Sequence, residues 1–347
     1  MANKSDKKNS NSRSGKFFEI LIYTLPVIVF LTAINIGSIH LGFKELADVF
    51  GMKMLGINIF GSNVPGPVQT AIFDVRLPRV LLSLLVGAGL SVSGAFFQSI
   101  MRNPLVEPYT WGVSSAAAFG AALSMIVPFF PIQLSSFIFA MASVALCYGI
   151  ARQRRQVSVI SLILAGIIIS SAFAAALSII QLLVDPPKLQ GLIFWTMGGF
   201  YTTTWGKLGM ALPLFAAGLI LIFIFRWKLN ILSLGDREAK ILGLNPYLLK
   251  GIILFAATLL ASTSVATSGI ISLAGLMVPH ACRMMFGPDN KRLIPLSITF
   301  GASYLTAVDI FARSIASFEI PVGIFTTFMG APFFIILLKK VRGGGWG

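Results

Sequence analysis

Apolar runs of about 20 residues recur from one end of this chain to the other, and a water-soluble fold has nowhere to put so many of them. Of the 347 residues, 56% are hydrophobic and only 11% are charged. The mean hydropathy is +0.86. A helix satisfies its own backbone groups inside hydrocarbon, so the sequence predicts an all-α polytopic membrane protein. Ten membrane segments are expected, near residues 17–40, 77–101, 109–128, 132–151, 157–184, 207–226, 246–267, 270–286, 293–315 and 321–340. The eighth is short, follows Gly269 and contains Gly275 and Pro279, so a broken or partial span is expected there. Residues 1–16 are polar, lack an apolar run, and read as a disordered cytosolic tail ahead of one transmembrane domain, 17–347. The first apolar run is too long for a signal-peptide core and has no convincing cleavage site, so it reads as a retained helix.

The net charge of +15 sits in short loops between apolar runs. That placement argues for membrane topology and contact with anionic lipid, and against nucleic acid as a partner. With the N-terminus inside, 20 of the 27 Lys and Arg residues fall on the inner side and 7 on the outer. Both termini are therefore expected in the cytoplasm. Arg76 and Arg79 open the second span and Arg313 closes the ninth, all on the outer side. Arginine is scarce there, so a cluster that breaks the rule suggests a grip on an acidic partner outside the cell.

Chemistry-bearing motifs are few. There is no G-x-x-x-x-G-K-[ST], no H-E-x-x-H and no Cys/His cluster, so neither ATP binding through a P-loop nor a metal site is expected on this chain. Cys147 and Cys282 read as small buried hydrophobes, and His40 and His280 as helix-end residues with satisfied hydrogen bonds. Asp309 is the one candidate membrane-embedded carboxylate, and Arg313 lies four residues on, so a local ion pair is expected. A single, self-paired carboxylate equips an ion-coupled secondary transporter poorly. The fifth span carries no charge. Its Ser161, Ser170, Ser178 and Gln181 alternate with Gly166 and several alanines, a texture suited to close packing or to a passage wall. Trp195, Phe200, Tyr201 and Trp205 read as an aromatic belt at the outer interface. Asn103-Pro104 signals a turn between the second and third spans.

One inner loop, 227–245, is long. In it Leu232, Leu234, Ala239, Leu242 and Leu244 alternate with Asp236, Arg237, Glu238 and Lys240, and Gly243 with Asn245-Pro246 ends the pattern. This predicts a short amphipathic helix outside the hydrocarbon. Physical chemistry alone leaves an interfacial strut and a docking element for a cytosolic protein equally open.

Four stretches, in order, resemble the permeases of ABC importers for iron-siderophore, haem and vitamin B12. They are RLPRVLLSLLVGAGLSVSGAFFQSIMRNPLVEPYTWGVSSAAAFGA (Arg76–Ala121), GDREAKILGLNP (Gly235–Pro246), SGIISLAGLMVPHACRMMFGPDNKRLIPLS (Ser268–Ser297) and GASYLTAVDIFARSIASFEIPVGIFTTFMGAPFF (Gly301–Phe334). The resemblance runs from Phe17 to the C-terminus. It implies the type II importer fold, with ten spans per subunit and a homodimer in a prokaryotic cytoplasmic (inner) membrane. It also implies two cytosolic ATPase subunits that use ATP and Mg, no cofactor on the permease itself, and an extracytoplasmic binding protein that delivers the cargo.

By the same resemblance, Arg76, Arg79 and Arg313 meet acidic residues of that binding protein. The segment 234–245, including Leu234, Gly235, Asp236, Arg237, Ala239, Leu242 and Gly243, is a coupling helix. Spans five and ten line the passage, with Ser161, Ser170, Ser178 and Gln181 facing it. Val157, Ser158, Val159 and Ile160 form a cytoplasmic gate. Arg102–Pro108 is structural. The subunit is then a non-catalytic gate driven by ATP-dependent alternating access. Its expected cargo is a metal chelate, ferric siderophore first, with haem, cobalamin and molybdate open. The competing reading is an ion-coupled secondary transporter.

Overall fold

The computed structural model describes residues 3–36, 42–62, 64–127, 129–153, 156–157, 159–316 and 318–341, with backbone alone at 3–17, 43, 54–55, 153, 156–157, 159 and 336–341. Ten helices occupy the ten expected segments. They are α1 (Asn3–Asn35), α4 (Leu77–Met101), α5 (Val113–Ile126), α6 (Ile132–Ala151), α7 (Val159–Leu183), α9 (Trp205–Leu234), α11 (Pro246–Ser268), α12 (Ala274–Phe286), α13 (Asn290–Ser314) and α14 (Val322–Val341). Among the described residues, seven helices are long and apolar enough to cross a membrane, and two shorter apolar helices cover Val113–Ile126 and Val322–Ile335. Smaller helices lie between them: α2 (Phe43–Leu55), α3 (Gly66–Thr70), α8 (Pro186–Thr196) and α10 (Asp236–Ile241). A two-residue antiparallel pair, Arg152–Gln153 with Gln156–Val157, joins α6 to α7.

Several boundaries differ from the sequence reading for identifiable reasons. The backbone of α1 is helical from Asn3, where a disordered tail is expected. Residues 3–16 contain no proline, and a helix already nucleated by an apolar span extends at little cost per residue. Helix α9 runs on to Leu234 rather than ending near 226, because no breaker occurs until Gly235 at φ 151°. The eighth span is broken as expected. Residues 269–273 are irregular, with Gly269 at φ 70° and Leu273 at φ 66°, and the helix starts only at Ala274. Asn103 makes the expected turn, its side-chain oxygen accepting the Leu105 N–H at 3.0 Å. Both cysteines are free and buried.

Helix α4 is the centre of the bundle. The core of its span is 83% buried, against 22% for α7. It packs on α9, α11, α12 and α13. Glycine makes two of those contacts possible. A Cβ placed on Gly94 would stand 1.6 Å from the Gly275 carbonyl oxygen of α12, and one on Gly87 would stand 2.3 Å from that of Gly301 on α13. Backbones that touch gain dispersion contacts that lipid cannot replace. Replacing Gly94 by alanine is therefore expected to force the two backbones apart and cost about 1–3 kcal/mol. Thermal unfolding of the purified variant in detergent, beside a control Gly149→Ala that meets open space, measures this. Equal melting of the two variants would refute the close-contact argument.

Candidate functional site

The three arginines expected on the outer side converge, but their side chains are buried rather than open. Arg76 and Arg79 are each only 8% exposed, and the Arg313 side chain likewise. Sequence reasoning expects open guanidinium forks. The structure turns all three inward, because carboxylate and carbonyl acceptors lie within the bundle. Arg79 holds Asp309 through Nε at 3.1 and 3.2 Å and through Nη2 at 2.9 Å. Its Nη1 reaches both carboxylate oxygens of Glu319 at 2.9 Å. Arg76 donates to the Ile34 carbonyl at 3.0 Å, and Arg313 donates to that of Ala33. Both carbonyls belong to the last turn of α1, where acceptors lack intrahelical partners and the helix dipole favours cations. The expected pair of Asp309 with Arg313 is present, although loose, at 3.9 Å.

The sequence reading missed the two strongest contacts of this cluster. Arg79 and Asp309 are 230 residues apart in the chain, so no local spacing announces them. Glu319 sits in the connection between α13 and α14 and is half-exposed at 49%. Together these residues tie the end of α1, the start of α4 and the end of α13 to that connection. Asp309, fully buried, is the anion that makes two neighbouring guanidinium groups tolerable at this depth.

Helix α7 presents a mostly uncovered face. Ile160, Leu164, Ile167, Ile168, Ile179 and Leu182 are between 56% and 85% exposed in the single subunit. Ser178 shares the exposed side, bonded to its own helix at Ala174. Ser161 and Gln181 are half-buried. Ser170 instead turns into the bundle, where its hydroxyl would meet a Cβ on Gly112 at 3.2 Å, so it does not belong to the uncovered face. Of the expected gate, Ile160 is 71% exposed. Ser158 lies outside the described residues, as do the side chains of Val157 and Val159. Beside the first turns of α14, a cavity of about 440 Å³ is lined by Met197, Ile270, Ser272, Gly323, Thr327 and Phe328. The expected aromatic belt is only partly superficial. Phe200 is 1% exposed and belongs to the core, while Trp205 is half-exposed and donates to the Phe73 carbonyl at 3.0 Å.

At the opposite end, the amphipathic segment forms as a short helix. Gly235 separates α9 from α10, and Asp236 pairs with Lys250 of α11. Gly243 at φ 77° ends it: its N–H bonds Lys240 and that of Leu244 bonds Ala239, each at 3.0 Å. Asn245 then caps α11, accepting from Tyr247 and Leu248 at 3.2 Å, with Pro246 in the first turn. Ala239 and Leu232 are buried, which anchors the segment. Leu234, Ile241 and Leu242 are 63%, 77% and 58% exposed, and Arg237 also faces out. Nearby, the Asn230 amide donates to Asp289 at 2.6 Å and holds that carboxyl below its ordinary range.

A bundle of membrane-length helices, with one mostly uncovered helix and a short helix carrying exposed apolar side chains, is the architecture of a multi-pass membrane protein. The FecCD transport family model matches residues 25–340, and the chain belongs to that family. It is 36% identical over 332 residues to the molybdate import system permease protein MolB of Haemophilus influenzae, covering 94% of this chain and 97% of that protein. Identity to the hemin transport system permease protein HmuU of Yersinia pestis is 32% over 327 residues, covering 92% and 94%. A solved structure of a metal-chelate type ABC transporter in an inward-facing conformation aligns with a TM-score of 0.82 at 34% identity, over 94% of this chain and 99% of that one. The protein is thus an ABC-transporter permease of the type its motifs resemble.

Proposed function

We propose that this chain is the permease subunit of a binding-protein-dependent importer, working as a homodimer with two cytosolic ATPases that use ATP and Mg. Its cargo is a metal chelate or related complex. Ferric siderophore is the first candidate, with haem, cobalamin and molybdate next; the relatives named for molybdate and hemin support that range. The observation that carries the reading is the exposure of three apolar side chains around one short polar helix: Leu234 at the end of α9, and Ile241 and Leu242 at the end of α10. Exposed apolar groups of this kind fit a partner protein's cleft. The uncovered face of α7 fits the passage at a dimer axis, and Ile160 fits its inner gate. The permease lies in a prokaryotic inner membrane with both termini in the cytoplasm. The arginine cluster at the opposite end fits an acidic binding protein outside, with Arg79 Nη1, which faces the half-exposed Glu319, as its outermost donor.

Nucleotide binding closes the ATPases. The coupling segments hand that closure to the spans, which alternate between outward and inward openings. An ion-coupled carrier is disfavoured, because Asp309, the carboxylate it depends on, is already engaged by Arg79 and Arg313. In proteoliposomes, accumulation is expected only with the ATPase subunits, ATP and loaded binding protein all present. Uphill accumulation by the lone polypeptide, without nucleotide, overturns the proposal.

A further inference from the structure

Arg79 is engaged on two sides by groups of unequal permanence. Asp309 is completely buried and takes three of its hydrogen bonds. Glu319 takes Nη1 from the solvent side and is 49% exposed. Its connection is held back to α13 by the Ile320 N–H to the Ala312 carbonyl at 3.2 Å. Three residues further on, at Val322, α14 begins. The outer end of α14 supplies Gly323, Ile324, Thr327 and Phe328 to the cavity beside it.

From this arrangement we infer that Glu319 is an internal stand-in for a carboxylate of the docking partner. It occupies the outward position on Arg79 until an acidic side chain of the binding protein displaces it. The exchange conserves charge: one carboxylate leaves Nη1 as another arrives, and the buried pair with Asp309 is undisturbed. The incoming group therefore does not bear the cost of desolvating a bare guanidinium. Glu319 sets both of its oxygens on Nη1 at 2.9 Å, a two-oxygen contact that an aspartate or glutamate can reproduce and diffuse negative charge cannot. Release of Glu319 frees the α13–α14 connection, so docking at the outer surface loosens the first turn of α14 where it borders the cavity. The inference rests on the docking reading above and adds to it a competitor and a mechanical output.

The test uses the permease–ATPase complex in lipid nanodiscs and the purified extracytoplasmic binding protein of the same transporter. Glu319→Gln keeps the side chain's size and removes its charge. The variant is expected to bind the binding protein roughly 2- to 5-fold more tightly, the scale of a lost half-exposed ion pair. Without any partner, phenylglyoxal should label Arg79 faster in the variant, as read by mass spectrometry. Unchanged affinity with unchanged labelling overturns the inference. Weaker binding does so as well, since Glu319 would then be aiding docking rather than competing with it. Arg79→Gln separates the two layers: if it weakens docking while Glu319→Gln does not tighten it, only the stand-in role fails. If Arg79→Gln leaves docking unchanged, the docking reading fails too.

Discussion

Exchanging Ile241 and Leu242 together for aspartate will abolish ATP-driven uptake while the permease still folds. The two side chains are 77% and 58% exposed, so the subunit's own core loses nothing. Surface changes of this sort move stability by no more than about 0.5 kcal/mol. In a partner's cleft the same side chains would each contribute about 1.5–3 kcal/mol of apolar burial. Losing both weakens assembly by a factor on the order of 100 or more, and two carboxylates would have to enter the cleft unpaired. Co-purification of the ATPase subunits with the variant, beside its thermal unfolding and uptake in vesicles, measures each part. Ala239→Asp is the contrasting control: that position is fully buried, so its variant should fail to fold rather than fail to couple. Full assembly and uptake by the double variant would remove the coupling role from this segment.

The second large effect is at Asp309. Its replacement by alanine leaves Arg79 and Arg313 side by side without their shared buried anion. Breaking a buried pair from one side costs about 3–5 kcal/mol, most of it the penalty on the charge left behind. Removing Arg79 as well should recover part of that loss. The expected signature is a coupling energy of about 1–3 kcal/mol between the two positions in a double-mutant cycle, followed by chemical denaturation in detergent micelles. Strict additivity would show that the arginines find other acceptors and that Asp309 is not the keystone of the cluster.

Helix positions were legible because membrane spans announce themselves by length and apolarity. Leu77–Met101 appears at the expected bounds, and the break in the eighth span lies at Gly269, while Gly275 and Pro279 sit inside the helix that follows. The short amphipathic helix Asp236–Ile241 was legible too, since Gly243 and Asn245-Pro246 are stop signals with a local mechanism. The orientation of the arginines was not. Periodicity can pair Asp309 with Arg313, four residues apart, but it cannot see Arg79 across the bundle or Glu319 in a connection. Helix α2, between α1 and α3, was likewise hidden. Its placement depends on Asp48, whose carboxylate accepts the N–H groups of Phe60 and Ser62 at 2.6 and 2.8 Å, a closure set by loop geometry rather than by sequence period.

The glycine-lined contacts of α4 with α12 and α13 have a practical corollary for anyone who wishes to watch this transporter work. Three helices whose main chains abut cannot slide past one another without a clash, so they travel as a slab and supply an internal ruler. Spin labels at two exposed positions on that slab should keep a constant separation through every stage of the cycle. Labels bridging from it to α7 or α14 should be the ones that report the stroke.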